Sequence, residues 1–226
     1  MFTILAVEMS HANGSVAIKL PSGTCFEKKI GNGVKADIGL FDAVVGVFKD
    51  AGVTPDSIQH LAVSGGPGGF TGLRVASTFS MTFSFLTGVN LIQIPTPLVA
   101  AQASGLPCKD IYVASCGKRD TAWYARCTKK HKNWLIDNQK LMQVEDFGFF
   151  FKGGTPVVLA DQHLPTSHRD YFFDKEINVL SSEYSAIATA ELADLILKDD
   201  TKLSYNQKIN VKYPRKPEAI RLFGDQ

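Results

Sequence analysis

The sequence has few cysteines, no strong excess of either charge and no long apolar run. Four cysteines occur in 226 residues, and no two stand in a Cys-x-x-Cys pair, which argues against a zinc site and a disulfide framework. Reduced thiols of this kind make the cytosol the expected compartment. The net charge of +2 argues against a protein whose main task is to cover nucleic-acid backbone. No apolar stretch approaches the ~20 residues of a membrane span.

The remaining composition is that of a soluble globular protein. With 45% hydrophobic and 20% charged residues, the chain can form one large domain or two small lobes. Residues 1–8 lack a basic start and reach Glu8 after a short apolar run, so they predict a first strand and no signal peptide. Metal binding is not expected, because the histidines show no ligand spacing. They are His11, His60, His131, His163 and His168.

The most unusual stretch of the chain is a glycine loop. The apolar run 58–63 before it predicts a buried strand, and the apolar spacing of 75–86 after it predicts a helix. Glycines and a proline are disfavoured inside either element, so the stretch predicts a tight turn from strand to helix. Thr71 is the predicted N-cap of that helix. The loop residues are Gly66, Pro67, Gly68, Gly69, Phe70, Thr71 and Gly72.

Three kinds of site were compared with this loop, and none fits. A phosphate-binding P-loop needs a lysine after its last glycine, where this chain has Leu73 and Arg74. A dinucleotide fingerprint needs a glycine where Thr71 stands. A nucleophile elbow needs a glycine in place of Ala62. The remaining prediction is a turn whose glycines allow close backbone packing.

Arg74 lies in the predicted first helical turn, where a positive charge opposes the helix dipole. One explanation for its position is that Arg74 pairs with a carboxylate of the same chain. The other is that it pairs with an acid on a partner or with an anionic ligand. The helix itself is apolar on two faces, so it is covered either by this chain alone or also by another protein. Glu8, at the end of a strand, is a weak candidate for holding a metal or a water.

The order of predicted elements indicates an α/β fold with mixed sheets. Three strands, a helix at 36–51, the strand before the glycine loop and two more helices with a strand between them fill the first half. A β-hairpin opens the second half, 161–175 is predicted as loop, and 185–197 as helix. Both halves start with strands and continue with helices, as in a duplicated lobe. The basic run 129–133 is a solvated loop or, as the lesser alternative, an RNA-phosphate patch.

The glycine loop and two other segments resemble the bacterial TsaB (YeaZ) family. Residues 66–74, Gly-Pro-Gly-Gly-Phe-Thr-Gly-Leu-Arg, closely match that family's Gly-Pro-Gly-Ser-Phe-Thr-Gly-Leu-Arg signature. Residues 4–10 resemble its opening strand, which ends in Asp-Thr-Ser. Residues 213–219, Tyr-Pro-Arg-Lys-Pro-Glu-Ala, resemble its C-terminal Tyr-Leu-Arg-x-Pro-(Asp/Glu)-Ala. The resemblance therefore spans the chain.

The resemblance implies a fold of the actin, Hsp70 and sugar-kinase type with two lobes, 1–105 and 106–226. It implies a cytoplasmic, non-catalytic scaffold that binds TsaD, the subunit that transfers threonylcarbamoyl to the adenosine beside the anticodon of tRNA. A TsaE-like ATPase, a homodimer through the same helices and tRNA contact through the complex are further implied. No cofactor is expected, apart from weak ATP or ADP binding at the cleft or the complex interface. The implied interface residues are Phe41, Val45, Phe48, Arg74, Ser77, Thr78, Met81 and Phe85.

The sequence also departs from the family pattern at three places. Asp-Thr-Ser is replaced by Glu8-Met9-Ser10, His-Ser-Glu before the first helix by Lys35-Ala36-Asp37, and Asp-Ala-Arg in the second lobe by Cys116-Gly117-Lys118. In the wider fold the opening acid and its hydroxyl neighbour manage metal and phosphate, so these changes lower the expectation of nucleotide binding. The alternative function is an enzyme of the same fold, either a small-molecule kinase or a glycoprotease-like hydrolase.

Overall fold

A computed structural model describes residues 2–31, 33–151, 156–199 and 209–213. The first half contains five strands and three helices: β1 Ile4–Glu8, β2 Ser15–Lys19, β3 Cys25–Lys29, α1 Ala36–Ala51, β4 His60–Ser64, α2 Phe70–Thr87, β5 Asn90–Ile94 and α3 Thr96–Ala103. The strands form one sheet in the order β3-β2-β1-β4-β5. β1 pairs antiparallel with β2 and parallel with β4, so the sheet is mixed, as predicted.

The second half repeats this arrangement. Its elements are β6 Asp110–Lys118, β7 Thr121–Lys130, β8 Asn133–Met142, α4 Phe147–Phe150, β9 Val157–Ala160, α5 Thr166–Asp174, β10 Asn178–Ser181 and α6 Ala186–Lys198. The sheet order β8-β7-β6-β9-β10 corresponds strand by strand to that of the first sheet. The duplicated lobe predicted from the sequence is therefore present.

Two helices form a middle layer between the sheets. β1 is buried along its whole length because alternate side chains enter different cores: Leu5 and Val7 face α1 and α2, whereas Ile4 and Ala6 face the middle layer. There α6 packs against the first sheet, and α3 packs against strands of the second. The lobes therefore share one apolar core in addition to the core on the outer side of each sheet.

The start of α6 also ties the lobes together. Ser185 caps the helix by accepting a hydrogen bond from the Ala188 amide at 3.1 Å. Glu27, on the edge strand β3, accepts the Ala186 amide at 3.0 Å. An acidic group at a helix N-terminus is stabilised by the free amides and by the helix dipole. A side chain of the first lobe thus completes a helix of the second half.

Two sequence predictions about helices were wrong, and one motif lies largely outside the described residues. α5 occupies Thr166–Asp174 within the stretch predicted as loop, because most of its side chains are polar and only His168 and Phe172, one turn apart, are buried. α2 begins at Phe70 with Gly69 as its N-cap, so Thr71 lies inside the helix. Of the C-terminal motif at 213–219, all but Tyr213 lies outside the described residues. Within the described part of the chain, no helix is long and apolar enough to cross a membrane.

Buried histidines predict a loss of stability in acid. The ring of His168 is fully buried, with Nδ1 2.9 Å from the Tyr124 hydroxyl and Nε2 2.9 Å from the Asp120 carbonyl. Burial lowers the pKa of His168 and of His60 below the ordinary value of 6.5. The unfolded chain therefore binds protons that the folded chain excludes once the pH falls below 6.5.

We expect the burial of His168 and His60 to lower the free energy of unfolding as the pH falls below 6.5. Urea titrations at about pH 7.5 and about pH 5.5 measure the difference. Exposed His131 provides the control, since His131→Gln should leave the difference unchanged. A free energy of unfolding that rises on acidification would contradict this interpretation.

Candidate protein-interaction face and lobe junction

The glycine loop joins β4 to α2 and is fixed by backbone hydrogen bonds on several sides. The Gly65 amide donates to the Ile94 carbonyl at 2.8 Å, and the Gly69 amide donates to the Ser10 carbonyl at 2.7 Å. The Gly66 carbonyl accepts the Thr96 amide at 3.0 Å. The loop therefore connects the ends of β1, β4 and β5, which lie at the same edge of the sheet because these strands are parallel.

Two of its glycines lie against the turn that follows β1. A Cβ atom on Gly68 would come within 2.6 Å of the Ser10 main-chain oxygen, and one on Gly72 within 2.0 Å of the Met9 oxygen. Real Cβ atoms do not approach backbone that closely. A side chain at either position would have to displace main chain, so this approach of loop to turn requires glycine.

The C-terminal segment 209–213 packs on the same loop. The Lys212 amide donates to the Gly65 carbonyl at 2.8 Å. The Gln93 side chain makes two hydrogen bonds to the main chain of Asn210, donating at 2.6 Å and accepting at 2.8 Å. Gly66, with φ +88°, leaves room for the Lys212 carbonyl, which would lie 2.3 Å from a Cβ. Loop and segment are therefore fitted to each other.

Arg74 makes a contact that the sequence did not predict. Its guanidinium lies over the ring of Phe70, 4.1 Å from the centroid, a cation–π contact within the first turn of α2. The Phe70 ring in turn packs against Tyr213, with centroids 5.1 Å apart. Both Phe70 and Arg74 remain exposed, so this stack lies at the surface beside the glycine loop.

The outward sides of α1 and α2 form an exposed apolar surface, the α1–α2 face. On α1, Ile38, Phe41 and Val45 are 53%, 60% and 69% exposed and follow one another at helical spacing. On α2, Met81 and Phe85 are exposed one turn apart. The helices pack together through Phe41 and Phe79, whose rings meet edge to face at 6.0 Å. Large apolar side chains grouped in this way mark interaction sites on protein surfaces.

The predicted interface residues fall into three groups. Phe48 is half-buried, and Ser77 is buried with only 8% exposure, so it offers little surface to a partner. Sequence reasoning missed Ile38, although it precedes Phe41 by three residues, and it did not include Leu86, which is 74% exposed, among the interface residues. The exposed members of the predicted set are Phe41, Val45, Arg74, Thr78, Met81 and Phe85.

A second cluster lies where the lobes meet, at the C-terminal ends of their central strands. Glu8 is 1% exposed, and its Oε1 accepts the Ser10 amide at 2.7 Å and the Ser10 hydroxyl. The same hydroxyl oxygen lies 2.9 Å from Nδ1 of His11. Nε2 of His11 lies 3.3 Å from Oδ2 of Asp161, which follows β9. A line of polar groups therefore runs from the first lobe to the second.

In the second lobe, Asp161 is held in place by two backbone hydrogen bonds. The Asp161 carboxylate accepts the Cys116 amide at 3.0 Å and the His163 amide at 2.8 Å. The His11 ring stacks on Tyr184, with centroids 3.6 Å apart and an angle of 8° between the planes. We refer to Glu8, Ser10, His11 and Asp161 as the junction cluster.

For each of the two acids of the junction cluster, burial raises the pKa and hydrogen bonding lowers it. Burial raises the pKa of Glu8 above 4.5, although Ser10 and His11 oppose the shift. Burial alone would also raise the pKa of Asp161, but His11 and the Cys116 and His163 amides hold it below 3.8. The pKa of Glu8 is therefore shifted upward and that of Asp161 downward. Among the described residues, no group of three or more histidines, cysteines and acids is arranged to hold a metal ion.

The junction cluster includes Ser10, His11 and Asp161, the residue types of a hydrolytic triad, which the sequence did not bring together. The Ser10 hydroxyl is hydrogen-bonded to Glu8, and the residue is 1% exposed. A serine nucleophile must present its oxygen to substrate and be activated by the neighbouring base. His11 lies within hydrogen-bond distance of the Ser10 hydroxyl, but that hydroxyl is buried and is not presented to a substrate. The cluster therefore serves better as a link between the lobes.

Comparison with known proteins agrees with this fold. Residues 40–141 match the sequence model of the TsaD family, described as tRNA N6-adenosine threonylcarbamoyltransferase. No curated protein matches the sequence. YeaZ from Pseudomonas aeruginosa superposes with a TM-score of 0.78 at 16% identity, over 94% of this chain and all of that one.

A second structure gives the same result. It is an uncharacterized protein with similarity to peptidase YeaZ, from Pseudomonas aeruginosa, with a TM-score of 0.79 at 16% identity. It covers 94% of this chain and 99% of that one. The prediction of a two-lobed α/β fold with mixed sheets is confirmed, and this fold is the one that YeaZ has. Part of the chain is therefore similar in sequence to the TsaD family, and the described chain has the fold of YeaZ.

Proposed function

We propose that this protein is a non-catalytic subunit of the machinery that makes threonylcarbamoyladenosine in tRNA, and that it binds and activates a TsaD-like subunit. Similarity to the TsaD family and to YeaZ supports a role in that machinery. The observation that carries the scaffold role is the α1–α2 face. Its five large apolar side chains are exposed although the cores on either side of the first sheet are filled.

The α1–α2 face suits a helical partner of the same fold. Two neighbouring helices that present apolar strips can pack against the equivalent helices of another chain as a four-helix arrangement. We therefore propose that a TsaD-like subunit and a second copy of this chain compete for the face. A TsaE-like ATPase would join the assembled pair, and tRNA would contact this chain only through the complex.

Nucleotide is proposed to bind this chain weakly or only at a complex interface. In open α/β sheets, ligands bind outside the carboxyl ends of the strands. Here that edge carries the junction cluster, in which Glu8 is buried and His11 reaches Asp161 of the other lobe. A phosphate group would have to displace this link and approach two carboxylates.

The direct test is co-purification of the tagged chain with the TsaD-like subunit of the same organism, followed by titration calorimetry. We expect a complex of one chain of each kind. A chain that forms no such complex but hydrolyses ATP or a peptide by itself would show that the kinase or hydrolase alternative is right.

A further inference from the structure

The junction cluster has fewer hydrogen atoms than its contacts require. The Ser10 hydroxyl oxygen contacts both Oε1 of Glu8 and Nδ1 of His11, and the hydroxyl has one hydrogen to donate. Nε2 of His11 faces the Asp161 carboxylate, which only accepts, so Nε2 must carry a hydrogen. If Glu8 is ionised and His11 is neutral, the serine can satisfy only one of its two neighbours.

With one additional proton, each contact of the junction cluster has one donor and one acceptor. The proton can occupy either of two positions, and both give the same set of contacts. On Nδ1 it makes His11 a cation that donates to Ser10, which then donates to Glu8. On Glu8 it reverses both bonds, so that Glu8 donates to Ser10 and Ser10 donates to His11. We propose that one proton, shared between Glu8 and His11 through the Ser10 hydroxyl, completes the link that the junction cluster makes between the lobes, and that loss of this proton loosens that link.

The surroundings of the cluster favour retention of the proton. Oε2 of Glu8 is buried without a hydrogen bond of normal geometry, and only the Ser64 hydroxyl adds to Ser10 and His11 in lowering the pKa of this carboxyl, so a full charge on it is only partly compensated. Asp161 supplies the negative charge that faces His11, and it is fixed by two amides. The other titratable groups of the junction, Cys116 and Tyr184, have no positive charge to offer. The edge of His11, with its side chain 15% exposed, gives the proton a route to solvent.

The direction of the pH effect follows from this count. While the junction cluster is intact, Glu8 and His11 bind one proton jointly. When the link between the lobes opens and water reaches them, the two groups bind and release protons independently of each other. The link is therefore complete below the pKa of the shared proton and is lost as the pH rises through it. In the deprotonated junction one buried acceptor has no donor, and the link from Ser10 to either Glu8 or His11 is broken.

The test is an NMR titration of the full chain between about pH 5 and about pH 9, a range that spans histidine titration. It follows the Glu8 carboxyl carbon, the His11 ring nitrogens and the protection factors of the Cys116 and His163 amides. We expect Glu8 and His11 to report one common midpoint, as coupled groups do. Protection of the two amides should fall about tenfold through it.

Ser10→Ala provides the matched variant, because it removes the shared hydroxyl and leaves both titrating groups. We expect the common midpoint to split into two. Two separate midpoints in the parent, or protection of Cys116 and His163 that does not change with pH, would overturn the proposal. If the alanine variant does not fold, the titration of the parent decides alone.

Discussion

Replacing Phe41 and Phe85 together with glutamate is expected to weaken binding to the TsaD-like subunit by at least about thirtyfold. These side chains are 60% and 88% exposed, so the folded monomer loses little when they change. In a complex they would be buried, and a glutamate in their place would have to lose its water shell without a partner. The titration that measures the parent complex also measures the variant, and sedimentation reports self-association.

The second lobe offers a matched control. Phe173 is 84% exposed on α5, as apolar and as accessible as Phe85 but not part of the α1–α2 face. Phe173→Glu should therefore leave binding unchanged. Phe79 is a poor choice for this experiment because its half-buried ring packs on Phe41 and Phe83. Equal affinity of the double variant and the parent would show that the partner binds elsewhere.

Gly72→Ala is expected to destabilise the protein more than a glycine-to-alanine change at any other position of the glycine loop. The added carbon would lie 2.0 Å from the Met9 carbonyl oxygen, and main chain on both sides would have to move. Overpacking of this kind typically lowers the free energy of unfolding by about 1–3 kcal/mol. We expect a loss at the upper end of this range, because the added carbon meets backbone. Urea unfolding monitored by circular dichroism measures it.

Gly148→Ala is the control for this experiment. Gly148 lies in α4, and apart from its own helix and chain neighbours no atom of the described residues lies within 4 Å of a Cβ built there. Alanine is also the better helix former, so stability should be unchanged or slightly higher. If both variants unfold at the same urea concentration as the parent, the glycine loop does not require its close contact with Met9.

Local pattern predicted most of the fold. The apolar spacing of α1 gave the bounds 36–51, and Gly52, with φ 64°, ends that helix in the left-handed conformation. α5 was missed because only two of its side chains are buried, which leaves no periodic signal. The N-cap of α2 was placed two residues late, at Thr71, because the actual N-cap is Gly69, which has no capping side chain.

The candidate site was only partly predictable. A helix face exposes every third or fourth residue, so the stripe of Phe41 and Val45 was visible in the sequence. Whether Ser77 faces outward depends on how α2 is rotated against the sheet, which tertiary packing decides. The link from His11 to Asp161 joins residues 150 positions apart on two lobes, and no spacing rule reports such a pair.

The most direct test of the central claim is mass analysis of tRNA nucleosides after loss of this protein. We predict that threonylcarbamoyladenosine disappears from the tRNAs that carry it, that the parent sequence restores it, and that the Phe41 and Phe85 double glutamate variant does not. Phe173→Glu should restore it as the parent does. An unchanged level of the modified nucleoside in cells that lack the protein would contradict the assignment to this machinery.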